Sequence, residues 1–152
     1  MIATEHFHPA GRDEAPAAAE IDVSAGVDLV EVRRVAALAA QPAGLAAVLT
    51  ERELTYCRNQ RRPAEHIAAR FAAKEAVLKA LGTGLAQGIR WTDVEILKEH
   101  GGRPTVALYG SAAALAAQRG LSRVDISLSH TNDLAIAQVV ALWRTCPSAP
   151  PI

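Results

Sequence analysis

The stretch RFAAKEAVLKALGTG, residues 70–84, restricts the fold of this chain more than any other segment. At about 100° per residue, Ile67, Phe71, Leu78 and Leu81 share one apolar stripe, so residues 64–81 read as a helix with a face made for burial. Gly82 is its C-terminal stop, because glycine takes the left-handed turn there without steric cost. Yet Lys74 falls in the middle of that stripe, and Glu75 and Lys79 flank it one turn apart. Two readings fit the spacing. In one, Glu75 and Lys79 form an i,i+4 pair on a solvated face, worth about 0.3–0.5 kcal/mol, and Lys74 snorkels out of the stripe. In the other, the charged edge of the helix faces a ligand.

The remaining segments supply what this helix packs against. IDVSAGVDLVEV (21–32) is rich in strand formers and places a strand at about 26–30, with Val27 and Leu29 alternating against Asp28. A helix follows over 31–40, and a second begins at Thr50, which is spaced from Glu53 as a capping box. Residues 92–99 and 105–110 form a hairpin around HGGRP, and 123–130 and 134–142 form another around TND, with an Ala-rich helix at 111–120 between them. Hairpins interleaved with helices predict an α+β domain: an antiparallel sheet with helices packed on one side. Residues 1–20 and 146–152 carry no hydrophobic period and are expected to be a flexible extension and tail around a domain at 21–145.

Bulk properties narrow the class. A chain of 152 residues, half of them hydrophobic, suits a single domain with an adequate core. Sixteen basic residues balance sixteen acidic ones, which argues against a general nucleic-acid binder. No run reaches the ~18 apolar residues of a membrane span, and the first 20 residues lack the apolar core of a signal peptide. Cys57 and Cys146 have neither metal-ligand nor disulfide-scaffold spacing, so a cytoplasmic location is expected.

Several residues invite chemistry. Asp28 interrupts the apolar GVDLV. It is either a solvent-facing alternate or, together with Glu75, a ligand for a hard cation; Mg²⁺ needs only one or two carboxylates and takes its other oxygens from water and phosphate. Arg70, Lys74 and Lys79 would then lie beside that metal on one helix, a suitable setting for a diphosphate. The GTG at 82–84 follows the helix instead of preceding it, which excludes a Walker-type phosphate loop. His130 ends ISLSH, as a surface or capping residue or as a phosphate contact or proton acceptor. Ser127 and Ser129 lack the glycine frame of a nucleophile elbow. Arg33, Arg34, Arg58, Arg61 and Arg62 are either solvated or a docking patch for an acidic partner.

Taken in order, GVDLVEVRRV, LTERELTYC, RFAAKEAVLKALGTG, DVEILKEHGGRPTVAL and SLSHTNDLAIAQVVA resemble the holo-(acyl-carrier-protein) synthases, the short class of 4′-phosphopantetheinyl transferases. The resemblance covers about 25–142 and implies that fold in one copy per chain. It implies a reaction in which a serine hydroxyl of an apo acyl carrier protein attacks the β-phosphate of coenzyme A with Mg²⁺. Phosphopantetheine moves to the serine and adenosine 3′,5′-bisphosphate leaves. By position, Asp28 and Glu75 match the metal carboxylates, Lys79 and Lys74 the lysines beside the diphosphate, and His130 a histidine on the coenzyme A side. Gly82 and Thr83 fall in the loop bordering the nucleotide and Arg34 matches the contact to the acidic carrier; on the residues, Arg70 is expected at the same cofactor site and Arg33 beside Arg34 at the carrier contact. The resemblance further implies a homotrimer with coenzyme A bound between subunits. Two other functions remain open on the residues alone. One is a metal-independent acyltransferase that binds coenzyme A, whose activity would survive chelators; the other is a non-catalytic carrier-binding domain, which would consume no coenzyme A.

Overall fold

The computed structural model describes residues 20–145, so the expected flexible ends and Cys146 lie outside the described residues. The elements follow in the order β1 (Glu20–Glu31), α1 (Val32–Ala39), α2 (Pro42–Val48), α3 (Glu51–Arg58), α4 (Pro63–Ala80), a 3₁₀ turn (Trp91–Asp93), β2 (Val94–Lys98), β3 (Pro104–Leu108), α5 (Gly110–Gln118), β4 (Leu121–His130) and β5 (Leu134–Thr145). Both expected hairpins form, β2 with β3 and β4 with β5, and all pairings are antiparallel. They belong to two sheets: β1-β5-β4 and the separate pair β2-β3. The first strand thus pairs with the last, which closes the domain from end to end. Three features exceed the sequence reading: β1 begins at Glu20, β5 runs on to Thr145, and α2 forms over PAGLAAV with Pro42 in its first turn.

Local chemistry accounts for the ends of the helices. Thr50 and Glu53 make the full capping box at α3: the Thr50 side chain accepts from Glu53 N–H, and the Glu53 carboxylate accepts from Thr50 N–H at 2.8 Å. At the other end of α4, Gly82 has φ +67°, Gly82 N–H donates to Lys79 C=O and Thr83 N–H to Leu78 C=O. That is a Schellman closure, which a residue with a Cβ could adopt only with strain.

The α4 helix is the hub of the domain. It lies against the inner face of β1 and β5 and touches α1, α3 and β2, so that it is buried almost all round. Half of its buried residues are alanines: Ala68, Ala69, Ala72, Ala73, Ala76 and Ala80. The helices cover one face of the three-stranded sheet. On the opposite face Ile21, Val23, Val27 and Leu29 of β1 are 55–65% exposed, and Leu134 and Ile136 of β5 are also open. The alternation at GVDLV is therefore inverted relative to a simple amphipathic strand: Val27 and Leu29 face outward and Asp28 faces the helix layer, its side chain 18% exposed. Among the described residues no helix is long and apolar enough to cross a membrane.

Candidate active site

A glycine sets the approach of β1 to α4. A Cβ on Gly26 would lie 1.9 Å from the carbonyl oxygen of Ala76, so only a residue without a side chain allows this contact. Asp28 follows Gly26 on the same face of the strand, and Glu75 immediately precedes Ala76 on the helix. In consequence Asp28 and Glu75, 47 positions apart in the chain, line one concavity of about 450 Å³ together with Arg34, Leu38 and Phe71. Glu75 feels both surroundings and neighbour: burial, then the negative charge of Asp28, raises its pKa above the ordinary carboxylate range, with Lys79 opposing. Two hard oxygen donors facing one space suit a small divalent cation that takes its remaining ligands from water and substrate.

Lys79 reaches this site through Asp28 and does not pair with Glu75 as the i,i+4 spacing suggested. Its ammonium donates to Asp28 Oδ1 and to the Val27 carbonyl, both at 2.9 Å, and it tethers helix to strand. The contact with Asp28 raises the Lys79 pKa, so the group stays cationic. Half of the side chain remains exposed, which leaves its other donors accessible.

Lys74 requires a correction. It was expected to point into a cleft beside a diphosphate; instead it is fully buried. Its Nζ donates to Glu53 Oε2 at 2.8 Å, to the Trp91 carbonyl at 3.0 Å and to the Val94 carbonyl at 2.5 Å. All three protons are thereby used, and the ammonium has nothing left for a ligand. Burial lowers the Lys74 pKa and Glu53 pulls it back up. The helix buries a lysine on its apolar side because an internal carboxylate and two carbonyls, contributed by distant segments, wait there.

A second group of basic side chains lies two strands away, about 10 Å across the sheet from Asp28. His130 shares the inner face with Asp28, since His130 pairs with Ala135 and Asp28 with Ala137. Its Nδ1 is 3.2 Å from Glu65 Oε2, and its ring meets His66 edge-on. Beside it a cavity of about 210 Å³ is lined by Tyr56, His66, Arg70, Lys98 and His130. Arg70 is 5% exposed; its guanidinium lies 4.0 Å from the centre of the Tyr56 ring, and its Nε makes no hydrogen bond. Burial, followed by His130 and Arg70, lowers the His66 pKa. Arg62 contacts both Glu65 and Asn132, which ties the start of α4 to the loop after His130.

The other expected residues fall around these groups. Arg34 lines the Asp28–Glu75 concavity, whereas Arg33 points to solvent and pairs with Glu31 at 2.8 Å. Gly82 borders a separate hollow with Ser24, Arg119 and Trp143, and Thr83 is half-buried beside it. Sequence reasoning passed over Glu53, Glu65 and His66. The capping box disclosed only the local role of Glu53, whose Oε1 also accepts from Ile96 N–H at 2.8 Å. Nothing near residue 65 in the chain signals contact with residue 130.

Comparison with known proteins bears on this geometry. The sequence model of the 4′-phosphopantetheinyl transferase superfamily matches residues 24–139. The holo-[acyl-carrier-protein] synthase of Desulforudis audaxviator is 50% identical over 119 residues, 77% of this chain and 90% of that one. Among solved structures, the holo-[acyl-carrier-protein] synthase of Neisseria meningitidis superposes with a TM-score of 0.72 at 32% identity, covering 78% of this chain and 96% of that one. A synthase–CoA complex from Chronobacterium ammoniagenes superposes with a TM-score of 0.73 at 27% identity, covering 82% and 99%. The whole of α4 and the GVD and SLSH segments lie within the matched region, and the chain belongs to the 4′-phosphopantetheinyl transferase superfamily.

Proposed function

We propose that this protein transfers 4′-phosphopantetheine from coenzyme A to a serine of an apo acyl carrier protein. The observation that carries this reading is the meeting of Asp28 and Glu75 in one concavity, with Lys79 bonded to Asp28 and Arg34 on the wall. Asp28 and Glu75 are the residues that would hold Mg²⁺, which when bound would neutralise the diphosphate and orient it for attack. Lys79 contributes a fixed positive charge on the side where the bond to the leaving group breaks. Arg70 and His130, with their neighbours His66 and Lys98, offer a basic recess two strands away, suited to another phosphate of the same cofactor. The serine oxygen forms the new bond to the β-phosphorus as the bond from that phosphorus to the bridging oxygen breaks; adenosine 3′,5′-bisphosphate departs with that oxygen, and the serine proton passes to water. Arg34, on the wall of the concavity, is placed to meet an acidic carrier where its serine must enter.

Self-association belongs to the same reading. The open face of β1 and β5 exposes Ile21, Val23, Val27, Leu29, Leu134 and Ile136 together, an apolar patch of the kind that isolated soluble chains rarely leave bare. Copies of this chain in a trimer would cover it. Light scattering checks the trimer; a fully active monomer overturns it. Cys57, a buried free thiol, suits the reducing cytoplasm in which coenzyme A and carriers are found.

The decisive assay incubates the protein with coenzyme A, Mg²⁺ and several apo carriers and follows the carrier serine by mass spectrometry. Phosphopantetheine on serine that disappears with EDTA supports the proposal. Acylation that survives EDTA would identify a metal-independent acyltransferase, and carrier binding without any consumption of coenzyme A a non-catalytic domain.

A further inference from the structure

We propose that Lys74 and Glu53 form a positioning pair that fixes the rotation of α4, so that Glu75 faces Asp28. This rests on the reading of those two carboxylates as the metal ligands. The need for such a device follows from the helix itself. Half of its buried side chains are alanines, which give little relief for interlocking with neighbours and so resist rotation weakly. A rotation of about 20° would carry a carboxylate roughly 6 Å from the helix axis through about 2 Å, and Mg²⁺ tolerates little departure from octahedral geometry.

Two contacts meet this problem, and they act on different coordinates. Gly26 against Ala76 sets how closely strand and helix approach. Lys74 sets the angle. Its ammonium is held by three oxygens from three separate segments: the Glu53 carboxylate of α3, the Trp91 carbonyl of the 3₁₀ turn and the Val94 carbonyl at the start of β2. Glu53 is fixed in turn by Thr50 N–H and Ile96 N–H, each at 2.8 Å. Directional bonds to fixed acceptors define an angle that an aliphatic side chain of similar length would not. Simple stability does not demand the pair, since a buried ion pair replaced by apolar or neutral groups of like shape often costs nothing. Successive side chains on a helix lie about 100° apart, so anchoring Lys74 on the α3–β2 side turns Glu75 toward α1 and β1.

The test uses the double variant Lys74→Met with Glu53→Gln, which removes both charges together and leaves neither unpaired. Binding of Mn²⁺ to the protein alone is measured by electron paramagnetic resonance and calorimetry, beside the melting temperature and the Mg²⁺ dependence of transfer. The expected result is a folded protein whose Mn²⁺ affinity is weakened about ten-fold or more, with a matching rise in the Mg²⁺ needed for half-maximal transfer and an unchanged KM for carrier. Wild-type Mn²⁺ affinity in the folded double variant overturns the proposal. If the double variant does not fold, Glu53→Gln alone decides: weakening by a few-fold supports the positioning role, and unchanged affinity overturns it. Wild-type protein tested against Glu75→Gln separates this from the parent reading. If that substitution leaves Mn²⁺ binding intact, the metal assignment is wrong and the positioning role falls with it.

Discussion

Gly26 and Ala76 meet backbone to backbone, at a separation that leaves no room for a Cβ. Because Asp28 and Glu75 flank this contact, the closest approach of strand and helix lies beside the proposed metal site. Gly26→Ala places a methyl group against a carbonyl that no rotamer change can move. It should destabilise the protein by about 3 kcal/mol or more and weaken Mn²⁺ binding in whatever fraction stays folded. Urea denaturation and metal titration of the same preparation check both.

Glu75→Gln should raise stability while removing function. Burial and Asp28 hold the Glu75 pKa above its ordinary value, so the folded state binds this proton more tightly than the unfolded state. Its contribution is therefore fully present below the ordinary glutamate pKa of about 4.3 and is lost as pH rises through the folded value. In EDTA at neutral pH the Gln variant should melt above wild type, and the advantage should vanish in acid. Its transferase activity should nearly disappear. Asp28→Asn should lose activity likewise, and the double variant should be little worse than either, because both changes break one unit.

Lys79→Ala separates a catalytic charge from a surface tether. Loss of one preorganised donor at a developing charge costs about 10²–10³ in rate. An ion pair with a half-exposed lysine contributes under about 1 kcal/mol to folding. A large fall in kcat with a nearly unchanged melting temperature is expected; the reverse pattern would make Lys79 a tether only.

Arg34→Glu should raise the KM for carrier, more steeply at low salt than at high, and leave coenzyme A affinity unchanged. Arg33→Glu should have the smaller effect, since Arg33 points to solvent and pairs locally with Glu31. Kinetics for both variants at two ionic strengths distinguish them.

Cys57 should be inert. It is fully buried, and burial pushes its thiol up to about 11. In a Cys146→Ser background the native protein should resist thiol reagents at pH 8 and react once denatured. A raised pKa contributes stability below the unfolded thiol value of about 8.5, and that contribution is lost as pH rises toward about 11. Cys57→Ala should accordingly flatten the alkaline limb of the stability curve.

What could be read directly from the chain was governed by neighbours in sequence. The capping box of Thr50 and Glu53, the Schellman turn at Gly82 and both hairpins depend on residues a few positions apart, and each forms where its pattern lies. Segment α2 escaped because seven residues of mostly small side chains carry too little periodicity to mark a face. The site was visible as a set of residue types, but contacts of long sequence separation decided their roles. Asp28 looks inward only because the first strand pairs with the last and the layer of helices covers that side, leaving Val27 and Leu29 exposed. Lys74 and Lys79 lie on one helix and look alike in sequence; Glu53 and two carbonyls captured the first, while Asp28 and solvent hold the second. Spacing along a helix determines the direction in which a side chain points, and what it meets there depends on segments that only folding brings alongside.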